Sequence, residues 1–254
     1  MISFVFIILQ IIPFIGIERN SLKKRNYNYA SLSDLLNFVD EAYTYLDGKI
    51  EFSNKGYPLF KKEHFLKEWP DDMVTFKDRN NPMVIDKTKT VLCFYQPDAR
   101  IFTRFVKVFD EIEIYKNYLG CVTPDITVTF DMDLEFQRMI MLINQLFAAI
   151  LVVNGIKIAF NTRTGSIETE DCLTSIPKNV ACSSGFLGCK SARNHFQAKS
   201  YINKILALRP SMLLIYGKKD RYINEQMDLL GIQYRYYEDY HTRSKNRRDC
   251  NVRL

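Results

Sequence analysis

Histidine is scarce in this chain, Cys-x-x-Cys pairs are missing, and no glycine-rich phosphate loop occurs. Each absence removes a class of chemistry. His64, His195 and His241 stand far apart, and none is spaced with a cysteine or a second histidine as a zinc site requires. Without GxxxxGK[ST] or GxGxxG, a P-loop hydrolase has no footing in the sequence. No Ser-His-Asp or Cys-His set can be read from spacing alone. The N-terminus lacks the basic start and small-residue cleavage site of a secretory signal. There is no fixed-period internal repeat and no low-complexity segment. The single tryptophan, Trp69, reads as a core or lid-packing residue rather than a stacking platform.

What is present describes a packed globular chain. Of the 254 residues, 47% are hydrophobic and 13% aromatic, enough for one large α/β domain or two small ones. The net charge of +6 is concentrated at the ends: residues 241–254 carry +4 and residues 1–26 carry +3, so the body is near neutral. That placement gives no uniform basic face for nucleic acid, although the basic tail is suited to touching phosphate. The six cysteines include several inside apolar runs and read as reduced core thiols, an expectation that favours a cytoplasmic location. Residues 1–17 are almost wholly apolar, at the short limit of a membrane span, and the basic residues follow them. If that segment inserts, the body stays on the cytoplasmic side, anchored to the membrane.

Four regions follow: an apolar N-terminal segment with a basic flank (1–26), an irregular helical cover (27–88), an α/β domain (89–240) and a basic tail (241–254). In the cover, apolar spacing predicts a helix over 32–47 behind a Ser31 cap and ended by Gly48, then one short strand at 73–76. From Thr90 the pattern alternates between short apolar runs and amphipathic segments. Strands are predicted at 90–95, 121–128, 156–160, 179–183, 212–216 and 232–237. Helices are predicted near 101–112, over 132–153 behind Thr129 or Asp131, near 168–176, through His195 to Leu206 behind a Ser191 cap, and over 220–230. Strands alternating with helices imply parallel pairing with right-handed crossovers. The expected fold is therefore α/β: a mostly parallel sheet of about six β-α units, open or partial-barrel-like.

The order of several short motifs resembles the bacterial and phage family catalogued as domain of unknown function 4417. Similar to it are Phe94-Tyr95-x-x-Asp98, Thr123-Pro124-Asp125-Ile126-Thr127 with Asp131-Met132-Asp133, and Gly155-Ile156-Lys157 before Asn161-x-Arg163. Ile176-Pro177-Lys178, Gly188-Cys189-Lys190, Phe196, and Pro210 through Tyr216-Gly217 continue the pattern. The resemblance runs over residues 70–240 and implies a phage or mobile-element setting, with no reaction attached. The chain departs at Phe160 and Thr164, where the family has Pro and Trp, and at Lys199, where it has Gly.

Ligand crevices in parallel α/β folds lie beyond the carboxyl ends of the strands. Polar residues at those ends are Asp98, Asp125, Asn161, Arg163, Ser183, Ser184 and Gly217. Asp125 follows Pro124 inside an apolar run, where an unpaired carboxylate is costly to bury. Asp98 and Asp125 are the candidate catalytic pair, holding a divalent metal through oxygen or splitting into acid and base. Arg163 is the candidate ligand fork, with Asn161, Ser183, Ser184 and the Gly217 turn as further ligand-binding positions. The competing reading makes Arg163 a salt-bridge partner of Asp125 or Asp98. Two functions fit: an enzyme acting on a nucleotide, nucleoside or nucleic acid, or a non-catalytic binding protein using the same crevice and the basic tail.

Overall fold

Short runs rich in Val, Ile, Leu and Tyr form the strands, and prolines and polar turns end them. The computed structural model describes residues 32–129, 131–163, 165–185, 195–239 and 242. Seven strands lie within them: β1 (Asp72–Thr75), β2 (Thr90–Cys93), β3 (Gly120–Val122), β4 (Ile158–Asn161), β5 (Ala181–Gly185), β6 (Met212–Tyr216) and β7 (Tyr234–Tyr237). All pair in parallel, side by side in chain order. The helices are α1 (Leu32–Leu46), α2 (Asp98–Tyr115), α3 (Leu134–Val153), α4 (His195–Leu208) and α5 (Arg221–Leu229), with a 3-10 stretch at Ile167–Ser175.

Right-handed crossovers between sequential parallel neighbours all fall on one face of a sheet, so the bare face has to curl inward. Two contacts show that it does. The Tyr95 hydroxyl, just past β2, lies 2.8 Å from Ser183 Oγ on β5, and the Tyr95 ring stacks on Tyr216 of β6 with centroids 5.5 Å apart. At about 4.8 Å per strand, a flat sheet would hold β2 some ~14 Å from β5 and ~19 Å from β6. The sheet is therefore barrel-like and nearly closed. Between β7 and β1 side chains bridge the seam: the Tyr237 hydroxyl donates to the Pro70 carbonyl at 3.0 Å, and the Arg235 guanidinium lies 4.7 Å over the Trp69 ring. Trp69 thus packs at the barrel wall, as its sequence context suggested.

Parallel register partners share a face, so the pairs Thr75–Cys93, Asn161–Ser183, Ser183–Leu214 and Gly185–Tyr216 mark the interior. The alternate residues meet the helices, as Ser184 does when its hydroxyl reaches Tyr201 of α4 at 2.9 Å. Helix α3 is apolar on nearly all sides because it lies between the barrel and α1, which buries Phe38, Ala42 and Leu46. By length and composition it would cross a membrane, yet most of it is buried inside the protein.

Several expectations are adjusted. The strand inside the 27–88 region, β1, joins the sheet as its first member, which makes seven strands rather than about six. The run expected as a strand over 121–128 stops at Val122: the Thr123 N–H still reaches the Ala159 carbonyl at 3.0 Å, but Pro124 has no N–H to continue the ladder. Asp133, not Thr129 or Asp131, caps α3, accepting from the N–H groups of Glu135 and Phe136 at 2.9 and 3.3 Å. Gly48 ends α1 at a φ of +66°, as expected. The four described cysteines, Cys93, Cys121, Cys172 and Cys182, are free and buried. The 1–17 segment, the Ser31 and Ser191 caps, Thr164, Gly188 to Lys190, His241 and the tail beyond Thr242 lie outside the described residues.

The Tyr95 ring lies so close over Gly185 that a Cβ there would sit 2.4 Å from Tyr95 Cδ1. Gly185→Ala should therefore cost about 1–3 kcal/mol in urea unfolding. The cost should largely vanish in a Tyr95→Ala background, and an equal loss in both would show that the ring is not the obstacle.

Candidate functional site

All seven strands deliver residues to one cavity of about 530 Å³ at their carboxyl ends. Thr75 and Asp78 come from the end of β1, Tyr95, Gln96 and Asp98 from β2, and Asp125 and Thr127 from β3. Arg163 follows β4, Gly185 and Tyr216 close β5 and β6, and Asp239 follows β7. Of the predicted positions, Asp98, Asp125 and Arg163 are brought together in this wall.

Pro124 turns the chain out of β3 and sets Asp125 above the barrel interior. There Asp125 Oδ1 accepts from Arg163 Nε at 2.5 Å and from Asn161 Nδ2 at 2.7 Å. Asn161 organises the group from behind: its Nδ2 also reaches the Pro124 carbonyl at 3.2 Å, and its Oδ1 accepts from the Arg163 N–H at 3.1 Å. Its own N–H donates to Thr123 Oγ1 at 2.8 Å, tying β4 to the end of β3. Burial pushes the Asp125 carboxyl up to about 6; the Arg163 charge and the Asn161 and Arg163 hydrogen bonds oppose the rise, and the Asp98 charge adds to it. Burial outweighs the ion pair here because Asp125 is only 9% exposed.

Asp98 opens α2, and its Oδ1 accepts from both the N–H and the hydroxyl of Thr127 at 3.1 Å. That pair of bonds pins the start of α2 to the segment after β3. Beneath it, burial holds the Tyr95 phenol well above its usual range; the Asp125 charge raises it further while the Ser183 bond lowers it. Tyr95 is thus a neutral hydrogen-bonding floor. Beyond the wall, Lys204 of α4 is pushed down to about 8, first by burial and then by the charge of Arg163, against the pull of Glu170.

The chain between β4 and β5 is held by glutamines that α3 carries on its buried side. Gln137 Oε1 accepts from Ser166 N–H at 2.7 Å, and Gln145 Nε2 donates to the Cys172 carbonyl at 2.8 Å. A Cβ on Gly165 would overlap Gln137 Oε1, so a larger residue there would have to displace the Gln137 side chain from Ser166.

The remaining predicted positions lie off the cavity wall. Ser183 is fully buried beneath it, bonded to Tyr95 and donating to the Leu214 carbonyl at 3.0 Å. Ser184 points to the helix layer, and the Gly217 N–H extends the β6–β7 pairing to the Tyr237 carbonyl at 2.9 Å. Strand alternation explains the split between the two serines: only one face of β5 looks inward. Among the described residues, no three His, Cys, Asp or Glu side chains gather as a metal cage. A divalent metal, one of the two options for Asp98 and Asp125, would find two carboxylates and, among the described residues, no third such ligand, and Asp125 is already paired with Arg163.

Tyr95, Gln96, Asp78, Tyr216 and Asp239 were not among the predicted site residues. Asp78 accepts from Thr75 Oγ1 at 2.5 Å; Asp239 accepts from the N–H and hydroxyl of Thr242 at 3.0 and 2.7 Å. The strand-end rule reaches Asp78 once β1 is counted in the sheet, and Asp239 once β7 is followed past its end.

A family model for a domain of unknown function, DUF4417, matches residues 53–237, which takes in every strand of the barrel. No curated protein and no solved structure matches the chain. Phe160, one departure from the family pattern, pairs with Cys182 on the helix-facing side of β4 and does not line the cavity.

Because the folded carboxyl of Asp125 binds its proton more tightly than the unfolded one, its contribution to stability is fully present below about pH 3.9 and is lost as pH rises through about 6. The stability difference between the native chain and Asp125→Asn should fall by about 2 kcal/mol between pH ~4 and ~7, and then stay flat. Urea titrations across that range measure it; a difference that grows with pH would reverse the assignment.

Proposed function

The chain belongs to the DUF4417 family, and we propose that it is an enzyme performing acid–base chemistry on a nucleotide, nucleoside or nucleic-acid end at the barrel mouth. One observation carries the reading. Asp98 and Asp125 each commit Oδ1 to the protein, through Thr127 and through Arg163 with Asn161, while none of those bonds takes Oδ2. Each carboxylate is thus oriented by the fold and keeps an oxygen for a substrate proton.

Their surroundings separate the roles. Asp125, raised to about 6, exchanges a proton near neutral pH and serves as the general acid or base. Asp98, half-buried at the start of α2, positions a donor group of the substrate. Arg163 holds Asp125 in place, and with Lys77 and Arg100 it supplies cationic groups suited to a phosphate. A volume of about 530 Å³ is in the range of small-molecule pockets and admits one nucleotide.

The wider setting belongs to the same proposal. The family resemblance suggests a phage or mobile element, and the free buried cysteines suit a reducing cytoplasm. Residues 1–17 would then serve as a membrane tether. The short Asp125–Arg163 ion pair favours a second reading, in which the same wall binds a partner and the pair is a brace.

The two readings separate in one experiment. The purified chain is incubated with nucleosides, nucleotides and short oligonucleotides, and turnover is followed by NMR beside Asp125→Asn. The enzyme reading expects at least about a 100-fold loss of turnover in the variant, with ligand-induced thermal shifts retained. Binding without turnover in the native chain leaves the brace reading standing and removes the enzymatic one.

A further inference from the structure

The body of the chain is near neutral as a whole, yet its cations are unevenly spread. Lys77 and Arg79 follow β1, while Arg100, Arg104 and Lys107 recur at four and three along α2 and so share one helix face. A single ring joins the two groups. The Arg79 guanidinium lies 4.2 Å from the Phe76 centroid, and the Arg104 guanidinium 4.8 Å from it. Lys77 and Arg100 line the cavity, so the basic strip begins in the cavity wall and runs outward past Phe76 toward Lys107.

Stability gives little reason for this arrangement. The stems of Arg79 and Arg104 help to cover Phe76, but that packing does not call for the charges at their ends. Like charges three and four residues apart oppose a helix, and a cation in the first turn opposes its dipole. Glu111, paired with Arg104, is the counter-ion within the strip. Asp78 and Asp98 stand at its cavity end, where they accept from Thr75 and Thr127. A surplus of positive charge remains, and Lys77 and Lys107 are exposed, with no ion pair among the described residues. A protein partner would want an apolar centre. Val106, the exposed apolar residue of α2, lies on another side of the helix. The strip therefore suits an extended polyanion.

We propose that a single nucleic-acid strand lies along this strip, its phosphodiesters on the Arg and Lys side chains, and delivers its terminal nucleotide into the cavity. The volume of about 530 Å³ then holds that one nucleotide while the strand behind it stays outside. Contacts of this kind position a backbone without reading its sequence. The inference rests on the nucleotide reading above and narrows it from free nucleotides to the end of a strand.

The test follows fluorescence anisotropy of the full chain with a labelled oligothymidylate of about twelve nucleotides, titrated between about 50 and about 200 mM salt. The native chain should bind it at least about tenfold more tightly than thymidine monophosphate, measured by competition. Lys77→Gln combined with Lys107→Gln alters two exposed side chains. It should weaken the oligonucleotide about tenfold and reduce the slope of log affinity against log salt by about 1.4. Lys61→Gln combined with Lys62→Gln removes the same charge at the amino end of the barrel, where Phe65 bridges to Ile158, and should change neither quantity. An equal loss in both double variants, no loss in the first, or competition by polyglutamate as strong as by the unlabelled strand overturns the inference. So does an oligonucleotide bound no better than thymidine monophosphate, a result that leaves the mononucleotide reading standing. Binding that meets every expectation without turnover of the strand supports the strip and removes the enzymatic reading instead.

Discussion

Seven parallel strands in chain order place their crossovers on one side, and the uncovered face has to be filled from within. Tyr95 is central to that filling. Its ring packs over Gly185 and stacks on Tyr216, and its hydroxyl meets Ser183, so a residue following β2 touches β5 and β6. The curl that permits these contacts also brings the seven strand ends around one cavity. Chain order, barrel closure and the existence of a site are thus consequences of one topological constraint.

Inside that constraint the electrostatics are set by depth. Asp125 stands over an apolar interior, and the cost of removing its charge from water exceeds what Arg163 and Asn161 return, so its carboxyl rises toward neutrality. Asp98, at the head of a helix and in reach of Thr127, is more open to solvent. Asn161 never reaches the cavity, yet it fixes both members of the ion pair, one through its side-chain N–H and the other through its carbonyl oxygen. Position along the barrel axis assigns these roles more than residue type does.

The outer layer has its own part. Helix α3 is apolar enough to suggest a membrane, but α1 covers its far side and the barrel its near side. Two of its three buried polar residues are turned to use: Gln137 and Gln145 fasten the chain between β4 and β5. They hold the chain that follows Arg163, while Arg163 itself is set by Asn161 and Asp125.

Much of this was legible in the primary structure. Alternating apolar runs and amphipathic segments announced a parallel α/β fold, because buried strands and surface helices have different periods, and the β6 run at 212–216 matched residue for residue. Asp98, Asp125 and Arg163 were recognisable because strand-end polar residues gather where loops meet. Legibility ended where long-range geometry took over. β1 was legible only as a lone short strand in an irregular cover; pairing with β2, a long-range contact, made it the first member of the sheet. Strand alternation separates Ser183 from Ser184, but which of the two faces the interior, where Tyr95 waits, and which meets α4 follows only from the direction in which the sheet closes. Local propensity thus determined which segments are strands and helices and which carboxylates end them. Closure of the sheet, a property of all seven strands at once, decided which side chains share a cavity and which stand behind it.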